Sequence, residues 1–135
     1  MKAIIFGSNG QDGYYLDALL KAENIDVIKV SRNNADFIGD VSSFDFVRKI
    51  IVQNKPDYVF SFAAKSTTNH DAIFENYSTI VNGTLNILEA VKESDISTKI
   101  FISGSGLQFE NNNTPINERS PFCASSAYSS ARIAS

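Results

Sequence analysis

Gly7, Gly10 and Gly13 follow the apolar run Ala3-Ile4-Ile5-Phe6 and lead into a helical pattern of Tyr15, Leu16, Leu19 and Leu20. A buried strand that turns sharply into a helix leaves backbone N–H groups unpaired and presents the positive end of the helix dipole, which together attract an anion. Glycine lacks a Cβ, so a diphosphate can approach that backbone closely. The chemistry implied is the binding of a dinucleotide. The spacing G-x-x-G-x-x-G is one residue wider in its first step than the commonest fingerprint, and a purely structural turn is the competing reading. The strand before it, the helix after it and a second strand about 20 residues on favour the cofactor. Asn9, Gln11 and Asp12 lie among these glycines and are assigned with them to cofactor binding.

Where the second strand ends, a carboxylate would hold the two ribose hydroxyls of NAD, but this chain reads Val30-Ser31-Arg32. A guanidinium suits a 2′-phosphate through charge-assisted, bidentate contacts, so NADP is expected in preference to NAD, which stays the second choice. A solvated surface arginine is the alternative. Asp36 and Asp40 lie nearby, and Asp40 is placed to accept a hydrogen bond from an adenine amino group. Ala63 and Ala64 supply small residues at a later strand end, where a cofactor passes close, although ordinary sheet packing explains them equally. Lys65 and Ser66, just beyond, face cofactor phosphates or substrate.

The elements that must position these residues alternate strand and helix, the pattern of a doubly wound parallel α/β sheet of the Rossmann type. Lys2 to Phe6 reads as the first strand, Asp26 to Val30 as the second, and Phe37-Ile38 as a very short third. Ser42, with Asp45 three residues on, resembles a capping box for a helix that carries Phe44, Val47 and Ile51 on one face. Tyr58 to Phe62 is the next strand. A long helix follows, with its stripe at Ile73, Tyr77, Ile80, Thr84, Leu88 and Val91. Lys99 to Ile102 forms a further strand, an irregular loop is punctuated by Asn111-Asn112-Asn113-Thr114-Pro115 and Ser120-Pro121, and a last helix starts near Ser125 or Ser126.

With 135 residues, 43% hydrophobic and 20% charged, the chain can bury one core, and residues 1–135 are read as one dinucleotide-binding domain. A net charge of -3 offers no basic stripe to nucleic acid, and no apolar run approaches the ~20 residues of a membrane span. No signal peptide is visible at Met1-Lys2, so the expected location is cytoplasmic. Cys123 and His70 are the only cysteine and histidine, which argues against a disulfide and against a metal site. His70 reads as a surface residue at a helix start.

The glycine turn Gly7-Ser8-Asn9-Gly10-Gln11-Asp12-Gly13, with Phe62-Ala63-Ala64-Lys65-Ser66, Asn82-Gly83-Thr84-Leu85-Asn86-Ile87-Leu88-Glu89-Ala90 and Tyr128-Ser129-Ser130-Ala131-Arg132, resembles the extended short-chain dehydrogenase/reductase family, the NAD-dependent epimerases and dehydratases. The likeness covers nearly the whole chain. Its Gly-Gln-Asp-Gly step is most similar to GDP-mannose 4,6-dehydratase and related nucleotide-sugar enzymes. The resemblance implies a GDP- or dTDP-hexose substrate and a tyrosine that exchanges a proton with the sugar hydroxyl while hydride moves to or from nicotinamide.

Tyr128 matches that tyrosine. A phenol is a poor base at neutral pH unless a fixed cation favours its phenolate. The family places a lysine four residues on, within reach on the same helix face, and here that position is Arg132. A guanidinium keeps the charge, has a wider planar head and does not release a proton. The family's Ser/Thr partner falls on Ser105, with Ser103 as runner-up. The glutamate that dehydratases carry two residues further on is replaced by Leu107, which cannot act as a base, so reductase or epimerase chemistry is expected over 4,6-dehydration. Asn82 falls where relatives place an asparagine in the long helix; a buried residue bonded to backbone explains it equally.

A complete fold of this kind carries a sixth strand, with segments beyond it that hold the sugar nucleotide. Their absence from this reading sets a non-catalytic dinucleotide-binding fragment or pseudoenzyme against the enzyme. It also leaves an open sheet edge, from which a homodimer is expected.

Overall fold

A computed structural model describes all of residues 1–135. Five parallel strands, β1 (Lys2–Phe6), β2 (Asp26–Ser31), β3 (Phe37–Ile38), β4 (Tyr58–Ser61) and β5 (Lys99–Ile102), form one sheet in the order β3-β2-β1-β4-β5. The first strand is therefore central, with Phe6 opposite Val30 on one side and Ser61 on the other. The chain reverses its direction of travel across the sheet between β1 and β4, which opens a crevice at the carboxyl ends of these strands.

Alternation along β1 feeds two cores. Ile4 and Phe6 join Val30, Val59, Val47, Ile50, Ile51 and Ile87 in the larger one, beneath α2 (Phe44–Asn54) and α4 (Gly83–Glu93). Ala3 and Ile5 point the other way, onto Leu20 of α1 (Gln11–Ala22). On that second face Tyr58, Phe60, Phe62 and Phe101 form a row of neighbouring rings, and Phe101 is 51% exposed.

Of the two helix starts expected from capping residues, one forms as expected and one does not. Ser126 caps α5 (Ala127–Ala134) through a reciprocal box with Ser129, at the predicted position. Ser42, in contrast, does not cap α2. Its own amide is taken by the Asp40 carboxylate at 2.9 Å, and the helix starts one residue later, with Ser43 at its N-cap and no side-chain bond there. Asp40 closes that turn more tightly than a serine hydroxyl could, because its carboxylate is the stronger acceptor.

The long helical segment is continuous but not uniform. A short α3 (Ile73–Asn76) passes into a π-helical stretch, Tyr77–Asn82, before α4. Its inward stripe runs through Asn76, Ile80, Thr84, Ile87 and Val91, while Tyr77 and Leu88 stay 37% and 44% exposed. Both i+3 and i+4 from Thr84 are apolar, so periodicity cannot choose between Ile87 and Leu88. The choice is made by Gly83, where a Cβ would stand 2.8 Å from Val41 Cγ1.

Candidate functional site

The glycine turn sits at the mouth of the crevice. Gly7 has φ +83°, and a Cβ there would lie 2.6 Å from the Ala63 nitrogen; a Cβ on Gly13 would lie 2.7 Å from the Gly7 carbonyl oxygen. Both glycines are thus demanded by backbone packing, and Gly7 in addition by its conformation. Gly10 is different: it is exposed, and the nearest atom to its Cβ would be the Gly7 oxygen at 3.4 Å. The amides of Gly7 and Ser8 donate to Val30 and that of Gly10 to Gly7, whereas those of Gln11 and Asp12, the first two residues of α1, donate to no protein acceptor. Two free amides on an exposed helix start, beside an exposed glycine, fit a diphosphate.

A cavity of about 200 Å³ opens beside this turn, lined by Gly7, Gly10, Arg32, Asp40, Ala63 and Ala64 of the expected residues, and also by Ser31, Val41, Ser66 and Thr79. Asp40 spends one oxygen on the Ser42 amide. Asn9 does not line this cavity: its side-chain amide donates to the Asn33 carbonyl and side-chain oxygens at 2.6 and 2.9 Å, tying the glycine turn to the loop after β2. Gln11 and Asp12 are exposed at the start of α1 and do not line this cavity, and Gly13 is buried.

Two further expected residues lie outside this lining. Asn82 is exposed at the end of the π-helical stretch and contributes nothing to the lining; the buried asparagine of this helix is Asn76. Lys65 points to Glu75, with its Nζ 3.8 Å from one carboxylate oxygen, while Arg32 Nη1 donates to the other oxygen at 2.8 Å.

A second hollow, of about 360 Å³, is lined by Ser66, Thr67, Thr68, Ser105, Leu107 and Tyr128. Ser66 lines both cavities, so the two are neighbours along one cleft. Tyr128 and Arg132 are 9% and 8% exposed on α5. Arg132 Nε donates to the Tyr128 hydroxyl oxygen at 3.1 Å, and its Nη1 donates to the Ser103 hydroxyl at 3.0 Å and to the Ser103 carbonyl. Its guanidinium carbon also lies 5.3 Å from the Tyr128 ring centre. No carboxylate pairs with Arg132, which leaves a buried cation satisfied only by neutral oxygens.

The two serines divide their duties. Ser103 anchors Arg132, while Ser105 faces the hollow with Tyr128 and accepts from the Leu107 amide at 3.2 Å. Behind the hollow, Asn76 is fully buried and donates to the Thr67 carbonyl at 3.1 Å. Tyr77 and Ser130 share a hydrogen bond of 2.5 Å that joins the π-helical stretch to α5.

The profile of the NAD dependent epimerase/dehydratase family matches residues 3–135. The chain belongs to this family. It is 32% identical to the GDP-mannose 4,6-dehydratase of Vibrio cholerae over 162 aligned positions, covering 98% of this chain and 43% of that protein. The CDP-glucose 4,6-dehydratase of Salmonella typhimurium is 34% identical over 83 positions, 60% of this chain and 23% of that one. Among solved structures, a dTDP-4-dehydrorhamnose reductase from Clostridium acetobutylicum superposes with TM-score 0.87 at 24% identity, over 99% of this chain and 47% of its own. The Bifidobacterium longum UDP-glucose 4-epimerase, in complex with NAD+ and UDP, gives 0.85 at 20% identity, over 98% and 46%. These last two show the fold. The chain spans less than half the length of these relatives.

Within the epimerase/dehydratase fold, Thr79 and Glu75 were the participants that periodicity hid. Thr79 follows Ser78 in a stretch of mixed polar and apolar residues and nothing local marks it, nor Glu75, which matters only through partners 43 and 10 residues away.

Proposed function

We propose that this member of the family binds NAD(P) along the cleft from the glycine turn to Tyr128 and serves oxidoreductase, epimerase or dehydratase chemistry on a nucleotide sugar. The observation that carries the proposal is Ser66, which lines both the cavity at the glycine turn and the hollow that holds Tyr128 and Ser105. The nicotinamide would supply a hydride acceptor or donor. Backbone amides of Gln11 and Asp12 would hold its diphosphate, with Gly7 and Gly10 keeping the approach clear and Arg32 offering a cation to a 2′-phosphate.

Tyr128 is the proton-transfer group in this reading. Arg132 donates to its oxygen, so negative charge that develops there meets a fixed cation in a water-poor setting. Ser105, on the same hollow, is the hydroxyl suited to a reacting sugar oxygen. Leu107 lines the hollow where a dehydratase would place its carboxylate, which favours hydride and epimerase chemistry over water elimination. The nucleotide-sugar class is supported by relatives named as GDP-mannose and CDP-glucose 4,6-dehydratases.

The test is a fluorescence titration with NADH and NADPH, followed by addition of GDP-mannose or dTDP-glucose to the chain loaded with NAD+ or NADP+, with transient hydride uptake read by nicotinamide absorbance and redox-neutral turnover read by chromatography of the sugar products. Saturable binding with turnover supports the enzyme. Saturable binding without turnover under any of these sugars supports instead a dinucleotide-binding module, for which the arginine in the family's lysine position and Leu107 are the specific observations.

A further inference from the structure

Glu75 lies on α3, and its carboxylate bridges two cations from two different loops: Arg32 after β2, at 2.8 Å, and Lys65 after β4, at 3.8 Å. The three side chains are 57%, 37% and 49% exposed for Arg32, Glu75 and Lys65, so the cluster contributes little to stability. Its position matters more. Arg32 is the one cation lining the cavity at the glycine turn, next to Ser31 at the carboxyl end of β2, where the ribose of a dinucleotide lies in folds of this topology.

Building on the cofactor reading above, we propose that Glu75 is a specificity-determining residue that holds NADP(H) back relative to NAD(H). It engages Arg32 and sets a negative charge beside the place a 2′-phosphate would take.

Two effects of Glu75 oppose one another. By fixing the Arg32 side chain it favours phosphate binding, but an exposed pair of this kind is worth less than about fivefold in affinity. By its charge it repels the phosphate, which carries about -1.5 to -2 at neutral pH. A carboxylate in contact with the shared guanidinium lies within the Debye length of roughly 8 Å, so salt does not screen that repulsion away. At such separations even a water-like dielectric gives a penalty of about tenfold. Repulsion therefore outweighs positioning. The free 2′-hydroxyl of NAD(H) meets no such penalty.

The experiment measures NADPH and NADH dissociation constants for the unmodified chain, Glu75→Gln, Glu75→Ala and the double variant Arg32→Ala/Glu75→Gln, at low and high salt. Both single variants are expected to bind NADPH about two- to tenfold more tightly, the repulsion of about tenfold less the lost positioning, with NADH affinity unchanged. The gain should shrink in high salt and vanish in the double variant. NADPH binding that is unchanged or weaker in both single variants overturns the proposal and makes Glu75 a prop for Arg32. An equal gain for NADH overturns it as well. Failure of every variant to bind either dinucleotide would remove the cofactor reading itself, and is distinct from cofactors that bind with unaltered selectivity.

Discussion

At the scale of single residues, the three glycines of the turn look equivalent in the sequence and are not equivalent in the fold. Gly7→Ala puts a methyl group against the Ala63 backbone from a left-handed conformation, and should cost roughly 1–3 kcal/mol, read as a lower melting temperature. Gly10→Ala meets only a contact of 3.4 Å and should melt within about 0.5 kcal/mol of the parent while weakening dinucleotide binding. If both substitutions lower stability equally, the division of labour in the turn is wrong. Tyr128→Phe should reduce any turnover by about 10²-fold or more with NADH affinity nearly unchanged. It also deprives the buried Arg132 Nε of its acceptor, a loss of about 1–3 kcal/mol in a urea titration.

Between elements, the contact of α4 with the loop before α2 decides which helix face turns inward. Gly83→Ala should destabilise by about 1–3 kcal/mol through its approach to Val41, and Val41→Ala should recover part of that in the double variant. A double-mutant cycle of thermal melts measures the coupling, and simple additivity would refute the contact. Strand positions and the start of α5 were legible because apolar runs, glycine punctuation and an N-cap serine act locally. The inward asparagine was not, since Asn76 is polar and its bond to the Thr67 carbonyl forms only after the loop folds back. The same holds for the bridge from Glu75 to Arg32, and for the anchoring of Arg132 on Ser103 rather than Ser105. Each depends on partners that no local pattern names.

For the whole molecule, the outer edge of β5 pairs with no strand, and Phe101 stands half-exposed on it among Phe60 and Phe62. An unpaired edge with apolar side chains suits a further strand, from more of the same chain or from a second copy. If a second copy is what pairs there, residues 1–135 associate in sedimentation equilibrium and Phe101→Lys lowers that association without altering the melting temperature of the dilute chain by more than a few degrees; a monomer at all concentrations removes the edge from consideration. No helix is long and apolar enough to cross a membrane. The strand order carries a last consequence, for synthesis. β1 emerges from a ribosome before either of its neighbours, yet it must end up between them, with Phe6 opposite Val30 and Ser61. At about 5–20 residues per second, roughly 3 to 11 s pass between translation of Phe6 and of Ser61. Throughout that interval Ile4, Ile5 and Phe6 are an unfinished apolar ribbon, and a nascent-chain chaperone that shields them would raise the yield of folded protein more than one acting after release.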